Sequence, residues 1–243
     1  MPEGPSIVIL KKEAAPFKGK KVLEVSGNSR LDIQRLAGKK LVDFRSWGKH
    51  FLICFPSFTL RIHFLLFGSY RINERKQTVP RLSLRFRNGE LNFYTCSLKF
   101  IEEDLDDVYD WSADVMSRRW HPAKARKKLR AQKAMLACDA LLQQDIFAGV
   151  GNIIKNEVLF RIRVHPASRI DALPLSKLGE MVREARNYSF DFLRWKRVYQ
   201  LRKHWLVHTR KQCPRCERPL TKAYLGKTRR RTFFCETCQR LYE

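Results

Sequence analysis

Hydrophobic and polar residues alternate in short runs through the first half of the chain, a pattern typical of β-strands buried on one side. The clearest case is a hairpin, in which residues 82–87 and 90–94 flank Asn88-Gly89. The Asn-Gly pair favours a type I′ turn. Further short strands are predicted at residues 21–25, 40–45, 51–55, 59–64 and 70–73. This density of hairpins predicts a two-sheet sandwich or a flattened barrel.

The second half changes to the spacing of α-helices. From about residue 111, a basic stretch at 124–133 leads into an apolar run, and helical patterns cover 152–161 and 175–196. A short helix is also expected at residues 6–15, with Pro5 in its first turn, where the missing N–H of proline costs little. The acidic run at residues 102–110 closes the β-rich half as a solvated face or as the start of a linker.

Two Cys-x-x-Cys pairs stand near the end of the chain, and their four residues are Cys213, Cys216, Cys235 and Cys238. Two such pairs complete a tetrahedral zinc site with no open position, so we expect one structural Zn²⁺ per chain. Disulfides or an iron–sulfur centre are the alternatives. The other three cysteines stand in apolar surroundings and are expected in the core: Cys54, Cys96 and Cys138.

Between the cysteine pairs, residues 229–231 are three consecutive arginines that precede a strand-like run. A β-hairpin with arginines at its tip suits contact with phosphate, whereas the alternative is a basic turn that only aids solubility. Together these patterns predict an α+β protein with two domains. Residues 1–110 form a β-sandwich with a short N-terminal helix, 111–205 a helical domain, and 206–243 a β-hairpin zinc finger.

The charge narrows the class of partner. The chain has 49 basic and 24 acidic residues, a net charge of +25, and most of the excess lies after residue 110. Nucleic acid is the expected partner because Lys and Arg neutralise phosphates. A membrane surface is the rival, but no long basic amphipathic helix, apolar run of about 18 residues or signal-peptide pattern is present. We therefore expect an intracellular, monomeric protein, in the cytoplasm and on the nucleoid if the source is bacterial.

The start of the chain offers candidate chemistry. Pro2 follows the initiator Met, and small second residues usually permit removal of that Met. Removal would leave a secondary amine beside the carboxylate of Glu3. An α-amino group titrates near ~8, so a neutral fraction exists that can form a Schiff base with an aldehyde-like carbon. The alternative is an ordinary frayed terminus.

Two glycine turns add to this stretch. Gly48-Lys49 falls between two predicted strands, where a tight turn would project the lysine. Gly149 and Gly151 allow a turn between helices, and Asn152 is expected to cap the second helix. A helix start is a natural phosphate site, although a plain helix–helix connection is equally compatible with the pattern.

In this order, the proline start, the Gly-Lys turn, the Gly-x-Gly-Asn turn and the four-cysteine finger resemble the formamidopyrimidine-DNA glycosylase/endonuclease VIII family of base-excision repair enzymes. The resemblance covers essentially the whole chain. It implies a helix-two-turn-helix motif around residues 141–165 and a zinc finger at residues 213–238. It also implies a DNA glycosylase with AP lyase activity that acts on damaged DNA through a Schiff base followed by β,δ-elimination. A non-catalytic DNA- or RNA-binding protein is the alternative.

The resemblance assigns roles to individual residues. Pro2 is similar to the nucleophile, Glu3 to the acid/base group, and Lys49 to the lysine that contacts phosphate and assists catalysis. Asn152 and Arg230 are similar to the pair that grips the phosphates flanking a flipped nucleotide. Extrusion of a base leaves a gap that a wedge must fill. Residues 63–68 match the wedge loop, and a buried strand is the alternative for them; the DNA-contact candidates there are His63, Leu65, Leu66 and Phe67.

Four departures bear on the choice of lesion. Residues 95–100 lack the Asp-Pro-Arg-Arg-Phe-Gly segment of the formamidopyrimidine branch. Gly4 in place of leucine points to the endonuclease VIII branch, which prefers oxidised pyrimidines. Ser6 replaces a glutamate usual in both bacterial branches, and Gln143 stands where an aspartate is common. The resemblance therefore implies oxidised bases as substrates, pyrimidines before purines.

Overall fold

The chain folds into two compact units, which meet in sequence between Tyr109 and Asp110. The structure is a computed structural model and describes residues 2–243. The first unit is built around a β-sheet and the second is mainly helical, which confirms the predicted α+β class. In the described part of the chain, no helix has both the length and the apolar character needed to cross a membrane.

The first unit contains one six-stranded antiparallel sheet in the order β1-β5-β6-β4-β3-β2. Where the sequence predicts a two-sheet sandwich, all six strands are joined in one hydrogen-bonded sheet. The long strands β4 and β6 lie side by side in the middle of its strand order. The predicted strands 59–64 and 70–73 are both parts of β4, which are separated by a shift of register between Phe64 and Ser69. The strands are β1 (Glu24–Ser26), β2 (Asp43–Trp47), β3 (His50–Cys54), β4 (Thr59–Ile72), β5 (Leu82–Phe86) and β6 (Gly89–Ile101).

The β5–β6 hairpin forms, but its turn differs from the prediction. Phe86 pairs with Gly89, so the two turn residues are Arg87 and Asn88 rather than Asn88 and Gly89. A type I′ turn needs positive φ at both central residues. Here the positive φ lies at Gly89 (138°), at the first position of β6. The predicted type I′ turn is therefore wrong, because the glycine is used to start the strand.

Helix α1 (Gly4–Glu13) packs against β2 and β3 of the sheet. Pro5 lies in its first turn, as expected, and Ile7 and Leu10 are buried in the core of the unit. That core includes Phe17, Phe51 and Phe93, which are fully buried. The apolar side chains of one helix and one sheet thus share a single core, which fixes the start of the chain against the strands.

The second unit is organised around the long helix α6 (Leu175–Arg197) and the helix α5 (Asn152–Arg161), which pack together. On α6 the buried residues Leu178, Val182, Ala185 and Phe192 recur at helical spacing, as the sequence predicts. The basic stretch forms α3 (Pro122–Arg130), and the short helix α4 (Ala137–Ala140) lies in the same unit, whereas the short helix α2 (Leu105–Val108) lies at the end of the first unit. The bounds of α5 and α6 agree with the sequence to within one residue.

The finger consists of the hairpin β7 (Thr221–Leu225) and β8 (Arg230–Phe234) with the cysteine pairs on either side. Its small core is shared with the helical part, since Phe160 of α5 packs with Val207, Phe233 and Cys235. The helices and the finger therefore form one compact unit. The sequence boundaries at residues 110 and 205 remain predictions.

Candidate functional site

Pro2 and Glu3 are held at the start of α1. Glu3 is 1% exposed and occupies the N-cap position, where its carbonyl oxygen accepts a hydrogen bond of 2.8 Å from the backbone N–H of Ser6. Pro2 is half-buried next to it. Met1, whose removal the sequence predicts, lies outside the described residues. Glu3 is thus not part of a frayed terminus, because its side chain is buried and its carbonyl oxygen accepts the first hydrogen bond of α1.

Lys49 lies in the two-residue turn between β2 and β3, where Trp47 pairs with His50. Gly48 has φ of +52°, and a glycine with positive φ at the first turn position fits a type II′ hairpin. The turn rests on an aromatic cluster. The ring of Trp47 lies 5.0 Å from that of Tyr109, and the Tyr109 hydroxyl lies 3.1 Å from Nδ1 of His50. The predicted tight turn is confirmed, and its base is rigidly packed.

Two histidines beside this turn are neutral. His50 on β3 and His63 on β4 are paired across the sheet, with ring centroids 5.2 Å apart. Burial lowers the pKa of His50 to about 3, and the positive charge of Arg61 acts in the same direction. Burial also lowers the pKa of His63, assisted by Lys49. The histidines therefore contribute hydrogen-bonding and packing groups at neutral pH, while Lys49 and Arg61 carry positive charge.

The wedge candidates project from the sheet. Leu65, Leu66 and Phe67 are 47%, 53% and 81% exposed. They lie at the register shift of β4, where the strand leaves its partner and returns at Ser69. Gly68 is required for this departure, because a Cβ there would come within 2.7 Å of the carbonyl oxygen of Thr95. The alternative of a buried strand is therefore wrong for residues 65–67.

The segment that departs from the formamidopyrimidine branch, residues 95–100, is part of β6. Cys96 pairs with Phe64, and Ser97 pairs with His63. Residues 96–100 continue the ladder, whereas Thr95 lies at the register shift with a φ of +48°. The described β6 therefore has no separate loop here that could add further wedge side chains. In the described part of the first unit, residues 65–67 are three consecutive exposed apolar side chains.

In the second unit, Asn152 is the first residue of α5, and Gly151 occupies the N-cap position. The expected cap by Asn152 is therefore wrong. Its amide group faces the finger, where Nδ2 donates a hydrogen bond of 2.8 Å to the carbonyl oxygen of Arg231. Its Oδ1 is buried and has no hydrogen-bond partner among the described residues. The side chain is thus tied to β8 through its amide nitrogen, while its oxygen caps no backbone N–H group in the described part of α5.

Arg230 is exposed at the first position of β8, opposite Leu225. The adjacent Arg231 accepts the bond from Asn152, so the structure brings the two candidate phosphate-gripping residues onto neighbouring elements. Lys155, one turn along α5, is buried and donates a hydrogen bond of 2.7 Å to Thr232 Oγ1. The start of α5 and the start of β8 are therefore tied together by two side chains.

The four predicted cysteine ligands converge. Their sulfur atoms all lie within 4.8 Å of one another. Sγ of Cys213 is 3.8 Å from that of Cys238, and Sγ of Cys216 is 3.6 Å from that of Cys235. Zinc–sulfur bonds of about 2.3 Å in a tetrahedron place the sulfur atoms about 3.8 Å apart. The donor set thus fits a tetrahedral metal ion with four thiolate ligands and no open coordination position.

Two buried carboxylates in the second unit escaped the sequence analysis. Glu157 of α5 accepts hydrogen bonds from the backbone N–H groups of Leu206, Val207 and His208. Asp139 of α4 accepts bonds from Lys227 and Thr228 in the finger. Their signal in the sequence is weak, because a single acidic residue within a helix is usually exposed. Only tertiary structure reveals the backbone segments that these carboxylates bind.

Comparisons with known proteins agree with this arrangement. The family model described as formamidopyrimidine-DNA glycosylase N-terminal domain matches residues 1–101, and the model of the corresponding H2TH domain matches residues 112–188. Endonuclease 8-like 3 of Xenopus laevis is 28% identical over 232 residues, which are 90% of this chain and 38% of that protein. Endonuclease 8-like 2 of Bos taurus is 33% identical over 195 residues, 74% of this chain and 58% of that protein.

The chain thus spans about two fifths and about three fifths of the length of these two curated relatives. Among solved structures, a viral DNA glycosylase superposes with a TM-score of 0.86 at 17% identity, covering 98% of this chain and all of that one. Lactococcus lactis formamidopyrimidine-DNA glycosylase, bound non-covalently to DNA with an AP site, gives 0.84 at 20% identity, covering 98% and 99%. By its two family models, the chain belongs to the formamidopyrimidine-DNA glycosylase/endonuclease VIII family, and its sequence relatives are endonuclease 8-like proteins.

Proposed function

We propose that the protein is a bifunctional DNA glycosylase and AP lyase of base-excision repair that removes oxidised bases, pyrimidines before purines. The observation that carries the proposal is the placement of Pro2 and Glu3. A half-buried proline with a fully buried carboxylate beside it is anchored by α1 to the two strands that present Lys49. Family membership supports DNA with a damaged base as the substrate.

In the proposed reaction, the secondary amine of Pro2 attacks C1′ of the damaged nucleotide and the base leaves. Glu3 supplies the proton that opens the sugar ring, which converts the adduct into a Schiff base. Loss of a proton from C2′ then expels the 3′ phosphate, and a second elimination expels the 5′ phosphate. Glu3 is suited to this work because a buried carboxylate can hold and return a proton without competition from bulk water. Lys49 contributes a positive charge for the adjacent phosphate.

The second unit supplies the proposed grip on DNA. Asn152 and Arg230 lie on elements that are fastened together, and we propose that they contact the phosphates beside the extruded nucleotide. Leu65, Leu66 and Phe67 would enter the gap left by the flipped base, since apolar wedges unstack neighbouring bases. We assign Zn²⁺ to the four cysteines, where it would hold the finger hairpin in shape. We further propose that the protein is monomeric and acts in the cytoplasm, on the nucleoid if the source is bacterial.

Borohydride trapping tests the chemistry directly. A Schiff base between the protein and DNA containing an abasic site or an oxidised pyrimidine is reduced to a stable covalent adduct. The wild-type protein should form this adduct, and Pro2→Gly should lose it because glycine lacks the ring that restricts the amine at the start of α1. The matched control is Pro5→Ala, which alters a proline of the same helix start and should trap DNA normally. Intact-mass measurement should show that the trapped species lacks Met1.

Lesion choice is tested by excision rates on a panel of defined oxidised bases. Faster removal of oxidised pyrimidines than of oxidised purines supports the proposed branch, and the reverse order contradicts it. Tight binding to DNA with no adduct on any substrate would instead favour a non-catalytic nucleic-acid-binding protein. If Pro2→Gly still forms the covalent adduct, the nucleophile is a residue other than Pro2.

A further inference from the structure

A buried carboxylate binds the loop that leads into Arg230. Asp139 lies in α4, is 4% exposed and accepts three hydrogen bonds. The donors are the backbone N–H groups of Lys227, at 2.8 Å, and of Thr228, at 3.4 Å, together with the Thr228 hydroxyl at 3.1 Å. All three belong to the loop of residues 226–229, which joins β7 to β8. Hydrogen bonds to a charged group are stronger than neutral ones, so this contact fixes the loop.

The loop is shaped to receive this carboxylate. Gly226 has φ of +71°, and a Cβ at this position would overlap the Asp139 carboxylate. Glycine is thus needed both for the left-handed backbone and for the close approach of the side chain. Residues 131–136 line a cavity together with Asp139, Gly226 and Lys227. The close approach of the Asp139 carboxylate to the loop of residues 226–229 therefore depends on the glycine at position 226.

The loop would otherwise be poorly held, because its basic side chains repel one another. Lys227 and Arg229 lie in it, and Arg230 and Arg231 follow directly. Thr228, Arg229 and Arg230 are exposed. Arg229 also has a positive φ of 42°, a conformation that a non-glycine residue adopts only when its surroundings impose it. Asp139 holds the residues that precede Arg229, because it accepts hydrogen bonds from Lys227 and Thr228.

We infer that Asp139 is a positioning residue for DNA binding: it holds the finger loop so that Arg230 is presented to a DNA phosphate. This inference rests on the proposed function, in which Arg230 is a phosphate contact. Asp139 does not itself bind DNA, because it is buried and carries the same sign of charge as phosphate. It acts through the backbone of Lys227 and Thr228 and joins α4 to the finger.

The direction in which Asp139→Asn changes DNA affinity distinguishes a positioning role from a purely electrostatic one. Asp139→Asn removes a negative charge near a basic surface, so a purely electrostatic effect would tighten DNA binding. Positioning predicts the opposite, because an amide offers one acceptor oxygen and places donor hydrogens against backbone N–H groups. The matched control is Asp145→Asn, which removes an exposed acid from the turn region between α4 and α5.

DNA affinity is measured by fluorescence anisotropy on a duplex with a stable abasic-site analogue, over a series of salt concentrations. Asp139→Asn should bind roughly tenfold more weakly, and the slope of log K against log salt should fall by about one. Asp145→Asn should bind at least as tightly as the wild type. Thr228→Val, which removes one exposed donor and preserves branching at Cβ, should weaken binding in the same direction by a smaller factor.

A double-mutant cycle tests the route through Arg230. In an Arg230→Ala background, Asp139→Asn should cost little further affinity, since the contact that it positions is gone. Equal losses in both backgrounds, or tighter binding by Asp139→Asn alone, would overturn the inference.

Hydrogen exchange without DNA gives an independent readout. The amides of Lys227 and Thr228 should be protected in the wild type and should lose protection in Asp139→Asn, with the rest of the unit unchanged. Unchanged protection would reject the inference even if DNA affinity fell. Failure of the wild type to bind DNA would refute the proposed function, whereas the exchange result would still decide whether Asp139 holds the loop.

Discussion

At the scale of single residues, the neutral state of His50 makes the stability of the first unit depend on pH. Its pKa is about 3 in the folded protein and near 6.5 in an unfolded chain, so the unfolded state binds more protons in acid. Stability is therefore highest above pH 6.5 and is lost as the pH falls towards 3. Between pH 7 and pH 5 this one group accounts for about 2 kcal/mol of unfolding free energy.

Urea denaturation at the two pH values checks this prediction. His50→Asn keeps a polar atom near Tyr109 but cannot gain a proton, so its loss of stability between pH 7 and pH 5 should be smaller by about 2 kcal/mol. His121→Asn is the control, because His121 is exposed and Asn can replace it at the N-cap of α3. An equal loss in wild type and His50→Asn would mean that other groups control the acid response.

At the scale of elements, the exposed residues 65–67 of β4 should matter for activity on DNA and little for the stability of the fold. Phe67 is 81% exposed, so Phe67→Ala should change the unfolding free energy by no more than about 0.5 kcal/mol. Excision from duplex DNA should fall roughly tenfold, because the gap left by a flipped base is no longer filled. Single-stranded DNA has no such gap, and its excision should be nearly unchanged. Equal losses on both substrates would assign Phe67 a different role.

At the same scale, we expect the finger to depend on the metal ion proposed for its four cysteines. Its core consists of few residues, among them Phe160, Val207 and Phe233, so removal of a structural ion should unfold it. A strong chelator should abolish DNA binding and release about one equivalent of zinc per chain, while circular dichroism of the β-sheet persists. Cys54→Ser is a control that lies in β3 and should leave the metal content unchanged. Retention of full DNA affinity after metal loss would contradict a structural role.

Sequence patterns located most elements because periodicity is a local property. The helices α5 and α6 and the cysteine pairs follow directly from spacing, and Pro2, Glu3 and Lys49 follow from the family resemblance. The turn at Arg87-Asn88 was missed because the pairing of β5 with β6 sets the register, which overrides the preference of Asn-Gly. Asp139 and Glu157 were missed because their backbone partners lie about 90 and 50 residues away in sequence. Such contacts leave no periodic signal.

At the scale of the whole molecule, the net charge of +25 predicts DNA binding that weakens steeply with salt. Only charges that contact phosphates contribute to the slope of log K against log salt, so position matters more than the total. Arg230→Ala should lower the slope by about one and weaken binding to all sequences alike. Arg75→Ala removes the same charge from the first unit, but Arg75 pairs with Glu90 at 2.8 Å and should leave the slope unchanged. Equal changes in both variants would show that net charge, and not the placement of Arg230 on β8, governs the affinity for DNA.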